Sequence, residues 1–196
     1  MEIPKKGVSK VPLFDASAVN SSVDLEAAVL RVLRSHWYVL GEEVRRFEDA
    51  FAAYCGVPYC VSVANGTDAI ELALRGLGIG RGDSVLLAAN AGYYSSTAVR
   101  QLGAQPIYVD VDPLTLNLSA DAVERSAAKF RPKAILVTHL YGLMADVHAL
   151  REIATGAGAA LVEDCAQAHG ARRQGAMAGS VGGAGSFLLY PPKKLG

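Results

Sequence analysis

Four short stretches of the chain carry side chains that could do chemistry together. In "VANGTDAIELAL", Asn65, Gly66, Thr67 and Asp68 stand where an apolar run turns into a helical pattern. Backbone N–H groups and the positive end of a helix dipole at such a turn would cradle a phosphate. "AGYYSSTA" sets Tyr93 and Tyr94 beside hydroxyls, where a ring could stack on a planar cofactor. "AALVEDCAQAHGA" closes an apolar run with Glu163 and Asp164, followed by Gln167 and His169. Strand alternation sends the two carboxylates to opposite sides, so one of them can face a site. An Asp164 carboxylate beneath a ring nitrogen would keep that nitrogen protonated and make the ring an electron sink. Finally, "SFLLYPPKKLG" offers Lys193 as an amine nucleophile able to form a Schiff base.

Each feature also has a plainer structural reading. Thr67 and Asp164 suit helix N-caps, the tyrosines suit half-buried packing, and Lys193 and Lys194 suit a solvated surface. His139 and His169 have no partner fixed by spacing and read as hydrogen-bonded structural histidines. What favours the chemical reading is order: phosphate cradle, aromatic platform, acid and amine follow one another along the chain, each after a strand-like run.

The elements that must position them form a series. Asp24 can cap a helix whose apolar face is Leu25, Val29, Val32 and Leu33. "GEEVRRFEDAFAAYCG" places Val44, Phe47, Phe51 and Tyr54 at helical spacing before a terminating Gly56. From residue 59 onward, β-branched runs alternate with amphipathic stretches. "YCVSVA", "SVLLAA", "PIYVDV", "KAILVTHL", "AALVED" and "GSFLLY" read as strands. Helices are expected near 67–77, 95–102, 119–130 and 147–155. This predicts an α/β fold with a mostly parallel sheet covered on both faces. In open sheets of this kind, ligands gather beyond the carboxyl ends of the strands, where the four stretches lie.

Composition narrows the function classes. Among 196 residues, 19 Lys and Arg balance 19 Asp and Glu, with no basic stripe to neutralise nucleic-acid phosphates. Cys55, Cys60 and Cys165 lack metal-ligand spacing and suit reduced thiols in the cytoplasm. No apolar run reaches the roughly 20 residues of a membrane helix, and the start lacks a signal-peptide core. "GLGIGRGD" fits neither GxGxxG nor the P-loop, which disfavours a nucleotide-dependent dehydrogenase.

From "VPLFD" to the end, the chain resembles the DegT/DnrJ/EryC1/StrS family of pyridoxal-phosphate-dependent sugar aminotransferases. "HWYVLGEEVRRFEDAFAAYCGV" is similar to the family's entry segment, and its WY-V-LG form is closest to members that aminate the 3-keto position of nucleotide-linked deoxysugars. "NGTDAIELAL", "YVDVDPLTLNL", "HLYGLMADV" and "VEDCAQAHGA" match further segments in the same order. The resemblance implies a three-layer fold of the aspartate-aminotransferase type (fold type I), with residues 1–196 supplying an N-terminal segment and part of the cofactor-binding large domain. It implies that Gly66, Thr67 and Asp68 contact the cofactor phosphate, Tyr94 stacks on the pyridine ring, Asp164 meets the ring nitrogen and Gln167 lies near the phenolic oxygen. Lys193 matches the Schiff-base lysine of F-S-x-x-P-x-K-N-L-G, which reads here as "FLLYPPKKLG", with Lys194 at the usual Asn position.

Two departures stand out. The family's phosphate-binding serine is Leu188 here; Ser186 shares its strand face but lies about 7 Å further along. Family members also continue for roughly as many residues again, so a fragmentary copy without the small C-terminal domain is expected. The implied reaction is transamination of a keto group on a nucleotide-linked deoxysugar, with L-glutamate as donor and a homodimer as the full-length assembly; no nucleic acid or membrane is implied as a partner. One alternative is a sugar dehydratase of the same family, disfavoured because such members carry His where this chain has Lys193. Another is a catalytically incompetent remnant acting as a binding or regulatory protein.

Overall fold

The computed structural model describes residues 14–190. Three helices come first: α1 (Ala16–Asn20), α2 (Leu25–Ser35) and α3 (Glu42–Cys55). Asp15 and Asp24 cap the first two by accepting the N–H groups of Ala18 and Ala27. Helix α3 stops at Gly56, whose φ of +71° is the left-handed geometry that glycine adopts without a Cβ clash. It joins the body of the protein through Phe51, whose ring meets Phe187 edge-on with centroids 5.0 Å apart. The stripe on α2 is different: Leu25, Val29 and Leu33 are all about half exposed.

The rest of the chain alternates as expected. Its elements are α4 (Gly66–Gly76), β1 (Ser84–Ala88), α5 (Tyr93–Gln101), β2 (Gln105–Val109), α6 (Ala120–Phe130), β3 (Ala134–Thr138), α7 (Val147–Ala157) and β4 (Ala160–Asp164). A short antiparallel hairpin, β5 (Arg172–Arg173) and β6 (Ala176–Met177), precedes β7 (Ala184–Ser186). The main sheet runs β2-β1-β3-β4-β7, and every neighbouring pair is parallel.

Strand alternation divides the core into two layers. Val85, Leu87, Leu136 and Val162 face α4 and α5, meeting Ile70, Leu74, Ala98 and Val99. Leu86, Ile135, Val137 and Leu161 face α6 and α7, meeting Val123, Val147 and Leu150. All five residues of β3 are buried, as a strand covered on both faces requires. Each fully buried aliphatic side chain contributes roughly 1.5–3 kcal/mol.

Two expected strands are corrected. "YCVSVA" is not a strand: residues 59–64 carry no ladder, and Tyr59 and Val61 are exposed. Its β-branched residues have the right propensity, but a strand exists only where a neighbour accepts its hydrogen bonds, and none of the described strands lies beside it. "GSFLLY" pairs with β4 only as far as Ser186, so its strand is shorter than its apolar run. No helix among the described residues is long and apolar enough to cross a membrane.

Candidate active site

Because each helix of the series runs antiparallel to the strand it precedes, α4 begins at the carboxyl edge of the sheet. Three polar side chains lie in register along that edge. Thr138 of β3 is paired with Asp164 of β4, which is paired with Ser186 of β7. They follow Leu136 and Val162 at a spacing of two, so the row is on the α4 face. All three are buried. The Thr138 hydroxyl donates to Asp164 Oδ2 (3.3 Å), and the Ala166 N–H donates to Oδ1 (3.1 Å). The Ser186 hydroxyl donates to the Glu163 carbonyl (3.4 Å).

Above this row sits the first turn of α4. The Asp68 N–H donates to Asn65 Oδ1 (3.0 Å), and Asn65 Nδ2 donates to Asp68 Oδ2 (2.8 Å). The N–H groups of Gly66 and Thr67 have no acceptor within the helix, as its first turn dictates. Leu188 stands against this turn: a Cβ placed on Gly66 would meet Leu188 Cβ at 3.3 Å and Cδ1 at 3.8 Å. An apolar side chain therefore occupies the flank of the expected phosphate cradle. Tyr93 and Tyr94 open α5 after β1 and are both largely exposed, with the Tyr94 ring folded back over Gly92.

Gln167 follows β4 and its Oε1 accepts the Tyr141 N–H (2.8 Å). That contact leaves the amide's two N–H donors to face outward. Tyr141 belongs to a 3₁₀ turn, Leu140–Gly142, and has a φ of +55°. The turn is also held by Asn117, whose Oδ1 accepts the Leu140 N–H and whose Nδ2 donates to the Leu143 carbonyl.

On the opposite face Glu163 does a different job. Its Oε1 accepts the N–H groups of Val181 (2.8 Å) and Gly182 (2.7 Å), and its Oε2 accepts that of Gly179 (3.0 Å) and meets His139 Nε2 at 2.9 Å. The Ala145 N–H donates to His139 Nδ1, so Nε2 carries the ring proton and donates it to Glu163. Burial raises the Glu163 carboxyl pKa, but the donors from His139, Gly182 and Gly179 outweigh it and the net pKa is lowered. Cys165 Sγ lies within 4.8 Å of these ligand atoms, and its thiol is pushed well up, chiefly by burial. With both Glu163 oxygens and His139 Nδ1 engaged by protein donors, the cluster acts as a structural hub. It pins the 179–182 loop, whose backbone then runs against β7: a Cβ on Gly185 would come within 2.6 Å of Gly179 Cα.

Residues 20–196 match the DegT/DnrJ/EryC1/StrS aminotransferase family. The chain belongs to that family. It is 45% identical over 173 residues to a dTDP-3-amino-3,4,6-trideoxy-alpha-D-glucose transaminase of Micromonospora megalomicea subsp. nigra, covering 88% of this chain and 46% of the relative. Among solved structures it is similar to DesV of S. venezuelae in complex with a ketimine intermediate, with a TM-score of 0.87 and 42% identity, covering 95% of this chain and 51% of that one. It is also similar to ntda from Bacillus subtilis with bound cofactor PMP, with a TM-score of 0.77 and 31% identity, covering 89% and 40%. The chain spans about half the length of the curated relatives it matches.

Within this family frame, the structure brings Asp164, Ser186 and the Gly66 turn to one edge and one face of the sheet. Gln167 follows β4 at the same edge, and Tyr94 follows β1. His139 is a hydrogen-bonded structural residue, as its sequence context suggested, and the buried His169 ring packs 5.5 Å from Phe187. Lys193 and Lys194 lie outside the described residues. Sequence reading missed Thr138 and the Tyr141 backbone. The signal for Thr138 was present: it is the one polar residue ending an otherwise apolar β3.

Proposed function

We propose that this chain carries the pyridoxal-phosphate site of a sugar aminotransferase, which moves an amino group from an amino acid to a keto carbon of a nucleotide-linked deoxysugar. The observation that supports it best is the buried Thr138–Asp164–Ser186 row beneath the first turn of α4. A carboxylate at the base and helix N–H groups above suit a ligand with a basic ring nitrogen at one end and a phosphate at the other. When bound, pyridoxal phosphate supplies the electron sink that lets nitrogen leave one carbon and join another. Asp164 holds a proton at the ring nitrogen, and Gln167 directs an amide N–H to the phenolic oxygen. Gly66, Thr67 and Asp68 take the phosphate, Ser186 lies at the floor of the site, and Tyr94 covers the ring. Lys193 would hold the cofactor through its amine, and that amine, when free, would serve as the acid and base that moves a proton at the amino donor, by resemblance L-glutamate. The working assembly is a homodimer in the cytoplasm, where the free thiols of Cys55, Cys60 and Cys165 stay reduced.

The position of Leu188 favours a second reading, a protein that binds without chemistry, because an apolar flank weakens the phosphate cradle. One experiment separates the two. Pyridoxal phosphate is added to the purified chain, the visible spectrum is recorded, and borohydride fixes the cofactor before peptide mass analysis. The aminotransferase reading expects a bound-cofactor band and a label on Lys193, both lost in Lys193→Ala. A band that persists in Lys193→Ala, or a label elsewhere, overturns the assignment.

A further inference from the structure

Strand β3 reads Ala134, Ile135, Leu136, Val137, Thr138, and every one of its residues is buried. Four are apolar. A lone hydroxyl at the end of such a strand needs a partner, since an unpaired buried hydroxyl is costly. The parallel register places Thr138 directly beside Asp164, and the hydroxyl donates to Asp164 Oδ2 at 3.3 Å. The Ala166 N–H reaches the other oxygen at 3.1 Å, so each carboxylate oxygen accepts from one of these donors. Donors placed on a carboxylate fix the orientation of its plane, and with it the direction in which it meets a ligand.

We infer that Thr138 is a positioning residue: its hydroxyl orients the Asp164 carboxylate, so that Asp164 can hold a proton on the nitrogen of a bound heteroaromatic ring. The inference rests on the pyridoxal-phosphate reading above and adds a residue to it. Ala166 contributes through its backbone and is insensitive to its side chain; Thr138 contributes through its side chain and can be tested by substitution.

The test uses the full chain with pyridoxal phosphate labelled with ¹⁵N in the ring. The ¹⁵N chemical shift distinguishes a protonated from an unprotonated pyridine nitrogen, a readout that a merely structural role would not move. In the wild type and in Thr138→Ser the nitrogen is expected in the protonated range. In Thr138→Val it is expected to move towards the unprotonated range, with cofactor affinity weaker by about tenfold, the loss of one hydrogen bond to a charged group. Circular dichroism of the cofactor-free variants checks that the fold is kept; if Thr138→Val does not fold, Thr138→Ala is compared with Thr138→Ser in the same way. A wild-type shift and affinity in the variant lacking the hydroxyl overturn the role of Thr138 while leaving the cofactor reading intact. A wild-type chain that takes no pyridoxal phosphate overturns both.

Discussion

Helix α2 and strand β3 both carry an apolar pattern, and their fates are opposite. Every residue of β3 is buried, between α4 and α5 on one side and α6 and α7 on the other. On α2 the matching stripe of Leu25, Val29 and Leu33 stays half exposed. Periodicity shows which side of an element is apolar; it does not show what covers that side. Cover comes from elsewhere in the chain or from another chain, and it sets how much each residue contributes to stability.

The contrast can be broken by substitution. The largest effect is expected from Glu163→Gln, because the amide cannot accept from His139, Gly179, Val181 and Gly182 together and leaves buried donors unmatched. A loss of roughly 3 kcal/mol or more in denaturant melts is expected. The pH dependence carries a sign. The Glu163 pKa is lower in the folded chain, so its stabilisation is present above the unfolded carboxyl pKa and is lost as pH falls through the folded one. Glu163→Gln should therefore lose less stability on acidification than the wild type, and an equally steep acid dependence would count against the hub.

Next comes Leu136→Ala, which opens a cavity under α4 and α5 and should cost about 2–5 kcal/mol by the same melts. Val29→Ser, on a residue 56% exposed, should change stability by less than about 0.5 kcal/mol. A large loss at Val29 would mean that the α2 stripe is covered in solution, and would turn the comparison around.

The same contrast explains how far the sequence could be read. Helices α4 to α7 and strands β1 to β4 were legible because each carries its own period and its own boundary signal, as at the Asn65 N-cap and the Gly158 C-cap. The opposite facing of Glu163 and Asp164 was legible too, since strand geometry alone demands it. Residues 59–64 were not, because their propensity is local while a ladder needs a neighbour. The role of Glu163 was also hidden. Its four partners come from His139 and from a loop beyond residue 178, and nothing in "VED" announces them. Thr138 stands out as the polar end of an apolar run, but its pairing with Asp164 needed the register between β3 and β4, which depends on how two distant runs align.

Gly185 and Gly179 meet backbone to backbone, with no side chain between them. Such a contact has no compliant layer: there is no rotamer to flip and no methyl group to slide. Strand β7 thus leaves the sheet at a fixed height, and Leu188 is delivered to the mouth of α4 by two bare peptide units acting as a hard stop.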